Sequence, residues 1–226
     1  MNQQIVAIPA YNPDARLLRL AEELRDSFDP FILIVDDGSA EASSGVFASL
    51  EEMGCTVLRH DVNKGKGAAL KLAASYVLEN FPGKGFATAD ADGQHKPEDI
   101  LGICMAQESA PDSLILGVRD FSGKDIPIKS KLGNRLASFA FLVTTGQRVT
   151  DTQTGLRGIP ASFMEEFSCI QGDRFEFEMN ALSISAKKLG IVQIPIQTIY
   201  EDNNKGTHFR AFEDSVMICR CLFAKT

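Results

Sequence analysis

The 226-residue sequence lacks any run near the ~18 consecutive apolar residues of a membrane span; its most apolar segment, Leu136 to Val143, is too short to cross a bilayer. A basic N-terminal region leading into an apolar core is also missing, so no signal peptide is expected. The five cysteines (Cys55, Cys104, Cys169, Cys219 and Cys221) are odd in number and form no C-x-x-C pair. A disulfide scaffold is thereby excluded, and a reduced, cytoplasmic protein is expected. Cys219 and Cys221 are two apart on an expected helix and do not share a face, so burial is a plainer reading than metal binding. Basic charge is scarce: 23 lysines and arginines stand against 30 acids, a net charge of −7. Such a chain is a poor partner for the phosphate backbone of nucleic acid. The Walker spacing G-x-x-x-x-G-K-[ST] is absent. So is a G-x-G-x-x-G fingerprint in the first turn, where the first glycine is Gly38; a dinucleotide dehydrogenase is disfavoured. There is no repeat, low-complexity tract or Pro/Gly/Ser-rich linker.

What is present reads as an ordinary globular chain, 44% apolar and 23% charged. At this size roughly 70% of the unfolded surface can be buried. The first half alternates strand and helix. Strands are expected at Gln4–Ile8, Phe31–Val35, Cys55–Arg59, Gly85–Ala89 and Leu114–Val118. Between them lie helical stripes: Leu17, Leu20 or Ala21, Leu24 and Phe28 after a cap at Asp14; Val46, Phe47, Leu50 and Met53; Leu72, Ala73, Tyr76 and Val77 within Gly67–Phe81; and Ile100, Ile103 and Cys104 after Pro97. This alternation predicts an α/β fold, a Rossmann-like and mostly parallel sheet flanked by helices. The second half is less regular. Helices are expected at Ile128–Val143, Arg174–Leu189 and Phe209–Phe223, an extended or looped segment at Asp151–Ile159, and one or two short strands at Ile191–Ile199. One domain spanning 1–226 is expected, with functional halves 1–118 and 119–226.

In an open parallel sheet, ligands collect beyond the carboxyl ends of the strands. The segments that follow the expected strands are Pro9-Ala10-Tyr11-Asn12, Asp36-Asp37-Gly38-Ser39, Asp61 to Gly67, Asp90 to His95, and Arg119. Core packing does not require polar and acidic groups to converge in this way. Asp90 and Asp92 point to one side if the chain stays extended there. Two carboxylates so close repel unless a cation sits beside them, and hard oxygens favour Mg²⁺ or Mn²⁺. Gln94 can add a third oxygen, whereas His95 is better suited to a nearby hydrogen bond. A polar turn capping the helix at Pro97 remains the plain structural alternative. For Asp36 and Asp37, one acid is expected to face the cleft and the other to hold the turn.

With these residues together, the chain resembles the inverting glycosyltransferases of family 2, which have the GT-A fold, and more narrowly the polyprenyl-phosphate sugar synthases. The matching pieces are IPAYN (Ile8–Asn12), DDGS (Asp36–Ser39), NKGKG (Asn63–Gly67), DADGQH (Asp90–His95) and DTQTGLR (Asp151–Arg157), with RFEFE and TIYEDNNKGTHFR further on. The resemblance implies that Pro9, Tyr11 and Asn12 line the nucleotide pocket, that Asp37 reads the base, and that Lys66 and Asp90 serve the donor. It implies Asp90, Asp92 and Gln94 as metal ligands, and Asp151 and Gln153 near sugar and acceptor. Arg119, Arg135, Arg157, His208 and Arg210 are implied for an acceptor phosphate. Many members carry a membrane-spanning C-terminal extension. None lies in these 226 residues, so attachment at the cytoplasmic membrane face is expected through a peripheral surface or a membrane-embedded partner.

The reaction so implied moves a hexose from a nucleotide diphosphate sugar to a polyprenyl (undecaprenyl or dolichyl) phosphate, with Mg²⁺ or Mn²⁺ stabilising the departing nucleoside diphosphate. Asp92, Asp151 and Arg135 are the expected catalytic residues. If a base is used, Asp151 is favoured, then Glu178. A phosphate acceptor, largely dianionic at pH 7, needs charge neutralisation more than deprotonation. Lys124, Lys129 and Lys131 between Arg119 and Arg135, against Asp120 and Asp125, suit a phosphate or an anionic membrane surface; a solvated loop is the alternative. Leu136–Val143 can contact lipid or pack in the core. Three rivals remain open here: transfer to a saccharide hydroxyl, a sugar nucleotidyltransferase, and a non-catalytic nucleotide-sugar sensor.

Overall fold

The computed structural model describes residues 3–120 and 128–197, with side chains described except at 128–132. The expected helix Phe209–Phe223, His208, Arg210, Lys124 and Asp125 lie outside the described residues, as do the side chains of Lys129 and Lys131.

The first half folds as its alternation predicts. Strand β1 (Ile5–Ala10) is followed by helix α1 (Ala15–Phe28), β2 (Phe31–Asp36), α2 (Ser44–Glu52), β3 (Thr56–Arg59), α3 (Lys66–Asn80), β4 (Phe86–Thr88), α4 (Pro97–Ser109) and β5 (Ser113–Arg119). Then come α5 (Ile128–Thr145), β6 (Arg157–Ile159), α6 (Met164–Cys169), α7 (Glu176–Lys188) and β7 (Gly190–Ile196). The seven strands form one sheet in the order β3-β2-β1-β4-β6-β5-β7. All pairings are parallel except those of β6, which runs antiparallel to both β4 and β5.

Alternation along the strands splits the core into two layers. Ile5, Ala7, Leu33 and Val35 face one side, packed by α3, α5, α6 and α7. Val6, Ile8, Ile32 and Ile34 face the other, packed by α1, α2 and α4. Strands buried on both faces read as continuous apolar runs for this reason. Asp14 caps α1 as expected, its carboxylate accepting from Arg16 N at 2.9 Å, and both Leu20 and Ala21 are buried.

Three elements depart from expectation. Helix α3 is rotated: Ala69, Leu70, Ala73, Ala74 and Val77 are buried, while Leu72 and Tyr76 lie at the margin. The small alanine face lets the helix lie close to the sheet, and Tyr76 stacks on Phe31 at 6.4 Å, 14° from parallel. The segment after β6 is helical at α6, which puts Phe163 and Phe167 into the core. Most consequential is β6. Because it runs antiparallel, the segment that precedes it emerges at the same sheet edge as the ends of β4 and β5. Thr88 pairs with Arg157, and so does Leu116. Asp151 to Leu156 are thus delivered beside Asp90 and Arg119. Among the described residues, no helix is long and apolar enough to cross a membrane.

Candidate active site

The loops at the carboxyl edge brace one another. Asn12 N donates to Ser39 Oγ at 2.8 Å, and Asn12 Oδ1 accepts from Ala40 N at 2.8 Å. Asp36 Oδ1 accepts from Ser39 N at 2.9 Å. Asp37, 3% exposed, reaches into the third loop: Oδ1 accepts from Lys64 N at 2.9 Å and lies 2.8 Å from His60 Nδ1, and Oδ2 accepts from Gly65 N at 2.7 Å. The acid expected to hold the turn is Asp36, through Oδ1, and Asp37, with both oxygens on the third loop, fixes the N-terminus of α3. Gly65 enters that helix at φ +106, against the carbonyl of Asp173, where a side chain has no place. Pro9 pairs with Val35 inside the sheet, and Tyr11 stands 55% exposed at the rim.

Asp90 lies just past β4 and Asp92 in the turn beyond it, so the extended course on which the two would share a side ends between them; Gly93, at φ +73, turns the chain toward α4. Lys66 Nζ is 2.6 Å from Asp90 Oδ1 and 3.0 Å from Glu178 Oε2. His95 Nε2 is 3.4 Å from Asp90 Oδ2, the nearby hydrogen bond expected of it. Burial alone would raise the Asp90 carboxyl, but the Lys66 ammonium and His95 outweigh it and hold it well below the usual range. Burial would likewise lower the Lys66 ammonium, yet Asp90 and Glu178 keep it above an ordinary lysine. Asp92 differs. Burial, then the charge of Asp90, pushes its carboxyl up, and its Oδ1 accepts from Gln94 N at 3.0 Å.

Among the described residues, no three carboxylate, imidazole or thiolate groups converge to hold a cation by themselves. Asp90 and Asp92 offer an incomplete oxygen set, the kind that Mg²⁺ or Mn²⁺ completes with water and ligand phosphates. A cation there would relieve the repulsion that raises Asp92. The donor set fits such an ion.

Asp151 is 0% exposed, and its carboxylate is filled. Arg119 Nε donates to Oδ2 at 2.7 Å and Nη2 to Oδ1 at 3.1 Å, while Arg119 N and Gln153 N add bonds of 3.3 and 3.2 Å. The carboxylate that is favoured if a base is used is thus occupied by the Arg119 fork and two backbone N–H groups. Arg135 is exposed on α5. That helix is tied to the loop ahead of Asp151 by Asn134 Nδ2 donating to Thr150 O at 2.7 Å.

Arg157 is 3% exposed, and its guanidinium donates to the carbonyls of Thr154 (2.9 Å), Glu178 (2.6 Å) and Thr152 (3.3 Å). It buttresses the DTQTG loop and does not present itself to an acceptor, contrary to its expected role. Burial lowers its pKa, with Glu178, Asp151 and Asp90 opposing. Glu176, the first residue of α7, reaches back to the loop ahead of the helix, accepting from Asp173 N at 3.1 Å. Glu178, two residues further on and 15% exposed at its side chain, joins the site through Lys66. The structural roles of His60 and Arg157 went unforeseen.

Gly155 lies against Asp90: an added Cβ would overlap the carboxylate of Asp90. Gly155→Ala is expected to displace Asp90 or the DTQTG loop and to lower kcat at least ~100-fold with a small change in Tm. Steady-state rates beside a melting curve check this.

The sheet order and the acid-lined carboxyl edge define a GT-A fold. A mannosyltransferase from Pyrobaculum calidifontis, solved with GDP-mannose and Mn²⁺, matches with a TM-score of 0.66 at 15% identity, over 99% of this chain and 63% of that one. Glucosyl-3-phosphoglycerate synthase from Mycobacterium tuberculosis, solved with Mn²⁺, UDP and glucosyl-3-phosphoglycerate, matches with a TM-score of 0.65 at 12% identity, over 97% of this chain and 77% of that one. In sequence, the model of glycosyl transferase family 2 matches residues 5–168. A UDP-N-acetylglucosamine–dolichyl-phosphate N-acetylglucosaminyltransferase from Methanococcus voltae is 33% identical, over 86% of this chain and 85% of the relative. The chain belongs to glycosyl transferase family 2 and is a glycosyltransferase. The nucleotidyltransferase alternative is thereby set aside.

Proposed function

We propose that the enzyme transfers a hexose, with inversion, from a nucleoside diphosphate sugar to a polyprenyl phosphate. The archaeal relative, named for a dolichyl-phosphate acceptor, supports the acceptor class. The observation that carries the reading is the state of the acids. Asp90, Asp151 and Glu178 are each paired with a cationic side chain. Transfer to a sugar hydroxyl needs a carboxylate within reach of the proton. A phosphate monoester, with a second pKa near ~6, arrives already deprotonated. It needs positive charge, and Arg119 at the end of β5 and Arg135 on α5 supply it. His208 and Arg210, named by the same resemblance, stay candidates for that role.

In this reading Pro9, Tyr11 and Asn12 line the nucleotide pocket, and Asp37 sets its wall through the NKGKG loop. Residues 1–118 hold the donor and the remainder serves the acceptor. Asp90 and Asp92, with Gln94, would hold Mg²⁺ or Mn²⁺, which when bound supplies Lewis-acid stabilisation of the leaving diphosphate. Lys66 lies close enough to Asp90 to add charge there. The acceptor phosphate oxygen forms the new bond at the anomeric carbon from the face opposite the leaving group. The bond to the nucleoside diphosphate breaks with its electron pair, so the configuration inverts. Asp151 fixes the fork of Arg119, and Arg157 fixes the loop that carries Asp151.

The test is product analysis with prenyl phosphate, prenol and free saccharide as acceptors. Transfer to the phosphate alone is expected, with nucleoside diphosphate released and the rate falling as pH drops through about 6, where the acceptor loses its second charge. Transfer to a hydroxyl acceptor would reject the reading.

Helix α5 supports a membrane-facing position. Leu136, Phe139 and Val143 are 54%, 66% and 60% exposed on one stripe, and Arg135 is exposed beside them. Such a stripe next to basic charge suits the interface of an anionic bilayer. Phe139→Glu is expected to weaken sedimentation with anionic vesicles several-fold while leaving turnover of a short-chain acceptor in detergent-free buffer intact.

A further inference from the structure

Lys66 occupies an oxygen that the proposed divalent cation would use. The ammonium lies 2.6 Å from Asp90 Oδ1, and its side chain is 19% exposed. A divalent ion held by that oxygen would lie close to the ammonium, where two positive charges repel strongly in a partly buried site. The other oxygen of Asp90 already faces His95 at 3.4 Å. The lysine has a second anchor, however. Glu178 Oε2 is 3.0 Å away on α7, a different element. That element is held in place by Arg157 bonding the Glu178 carbonyl at 2.6 Å and by Phe177, buried against Phe167 at 5.0 Å. An arriving diphosphate offers the ammonium a further anion.

Building on the donor reading above, we infer that Lys66 couples metal to donor. In the donor-free enzyme it neutralises Asp90 and keeps the cation out. When metal and nucleotide arrive together it shifts to Glu178 and the diphosphate, and Asp90 is released to the metal. The enzyme thereby loads the pair and discriminates against free metal. Glu178 is a positioning residue that gives the lysine somewhere to go. Coupling of this kind is reciprocal, so metal must tighten the nucleotide as much as the nucleotide tightens the metal.

The experiment titrates the full chain with Mn²⁺, following the electron paramagnetic resonance signal of the free aqueous ion, without and with saturating UDP or GDP. In the unaltered enzyme the nucleotide is expected to tighten Mn²⁺ by roughly 50-fold, within the usual range of coupled sites. In Lys66→Met, Mn²⁺ alone should bind about tenfold more tightly and the ratio of the two affinities should fall about tenfold. In Glu178→Gln the ratio should rise, because the ammonium has lost its alternative. A lysine acting only as a fixed charge would shift both Mn²⁺ affinities together and leave the ratio unchanged. An unchanged ratio in both variants overturns the inference and leaves the donor reading standing. If the unaltered enzyme binds no Mn²⁺ either with or without UDP or GDP, the inference and the metal site of the donor reading fall together.

Discussion

Asp92→Asn is expected to abolish turnover, by at least ~1,000-fold, while raising the Tm of the metal-free protein by about 2–4 °C. The two effects share one cause. Asp92 is a carboxylate whose charged form is disfavoured by burial and by Asp90, and Gln94 N gives it a backbone hydrogen bond. A folded-state pKa above the ordinary value of about 4 means the native state keeps its proton when the unfolded chain has lost it. The metal-free enzyme therefore loses stability as pH rises from about 4 through the raised value, and carries the full cost above it. The amide removes the charge and with it this pH dependence. At the proposed metal site it also removes a ligand, so added Mn²⁺ with nucleotide should no longer raise Tm as binding to the folded state otherwise does. Melting curves across pH, with and without Mn²⁺ and UDP, check all three parts. A variant that melts lower than the parent without metal would contradict the strain assigned to Asp92.

Arg119→Met is expected to destabilise the protein more than Asp151→Asn, although both break the same ion pair. The two partners are unequally buried: Arg119 keeps 26% of its side chain exposed, and Asp151 keeps none. Removing the arginine strands a buried carboxylate, which costs about 3–5 kcal/mol and lowers Tm by roughly 10 °C for a chain of this length. Removing the carboxylate charge leaves an arginine that can still reach water, so the loss should be less than half as large. The kinetic order is expected to differ too. Arg119→Met should raise KM for the acceptor far more than KM for the donor. Asp151→Asn, which leaves Arg119 present but less firmly aimed, should mainly lower kcat. Equal Tm losses would mean that the buried charge is satisfied by some other group.

The distribution of polar residues after apolar runs made much of this site legible in advance. Asp90, Asp92, Arg119 and the DDGS turn all fall at the carboxyl edge because strand–helix alternation forces a parallel sheet with one functional edge. What stayed hidden depends on contacts remote in sequence. Strand β6 has three residues and no period of its own; it is a strand because β4 and β5 leave a gap that it fills. Its antiparallel course decides that Asp151 meets Arg119. Whether an arginine serves a ligand or a carbonyl is equally invisible locally. Arg119 and Arg157 look alike as residue types, yet one ends a strand at the edge and the other is wrapped by three backbone oxygens. Glu178 was visible as an acid in RFEFE, but only the approach of α7 to the start of α3 joins it to Lys66. The helical stripe of α3 misled for a different reason: side-chain size, not hydrophobicity alone, sets which face can lie against a sheet.

The central claim concerns where the leaving group sits, and anomalous scattering from crystals grown with Mn²⁺ and a sugar nucleotide reads this directly. The manganese peak is predicted within bonding distance of Asp90 and Asp92, bridging to the diphosphate, with Lys66 drawn toward Glu178. A nucleotide seated elsewhere, with no peak beside those aspartates, would contradict the account.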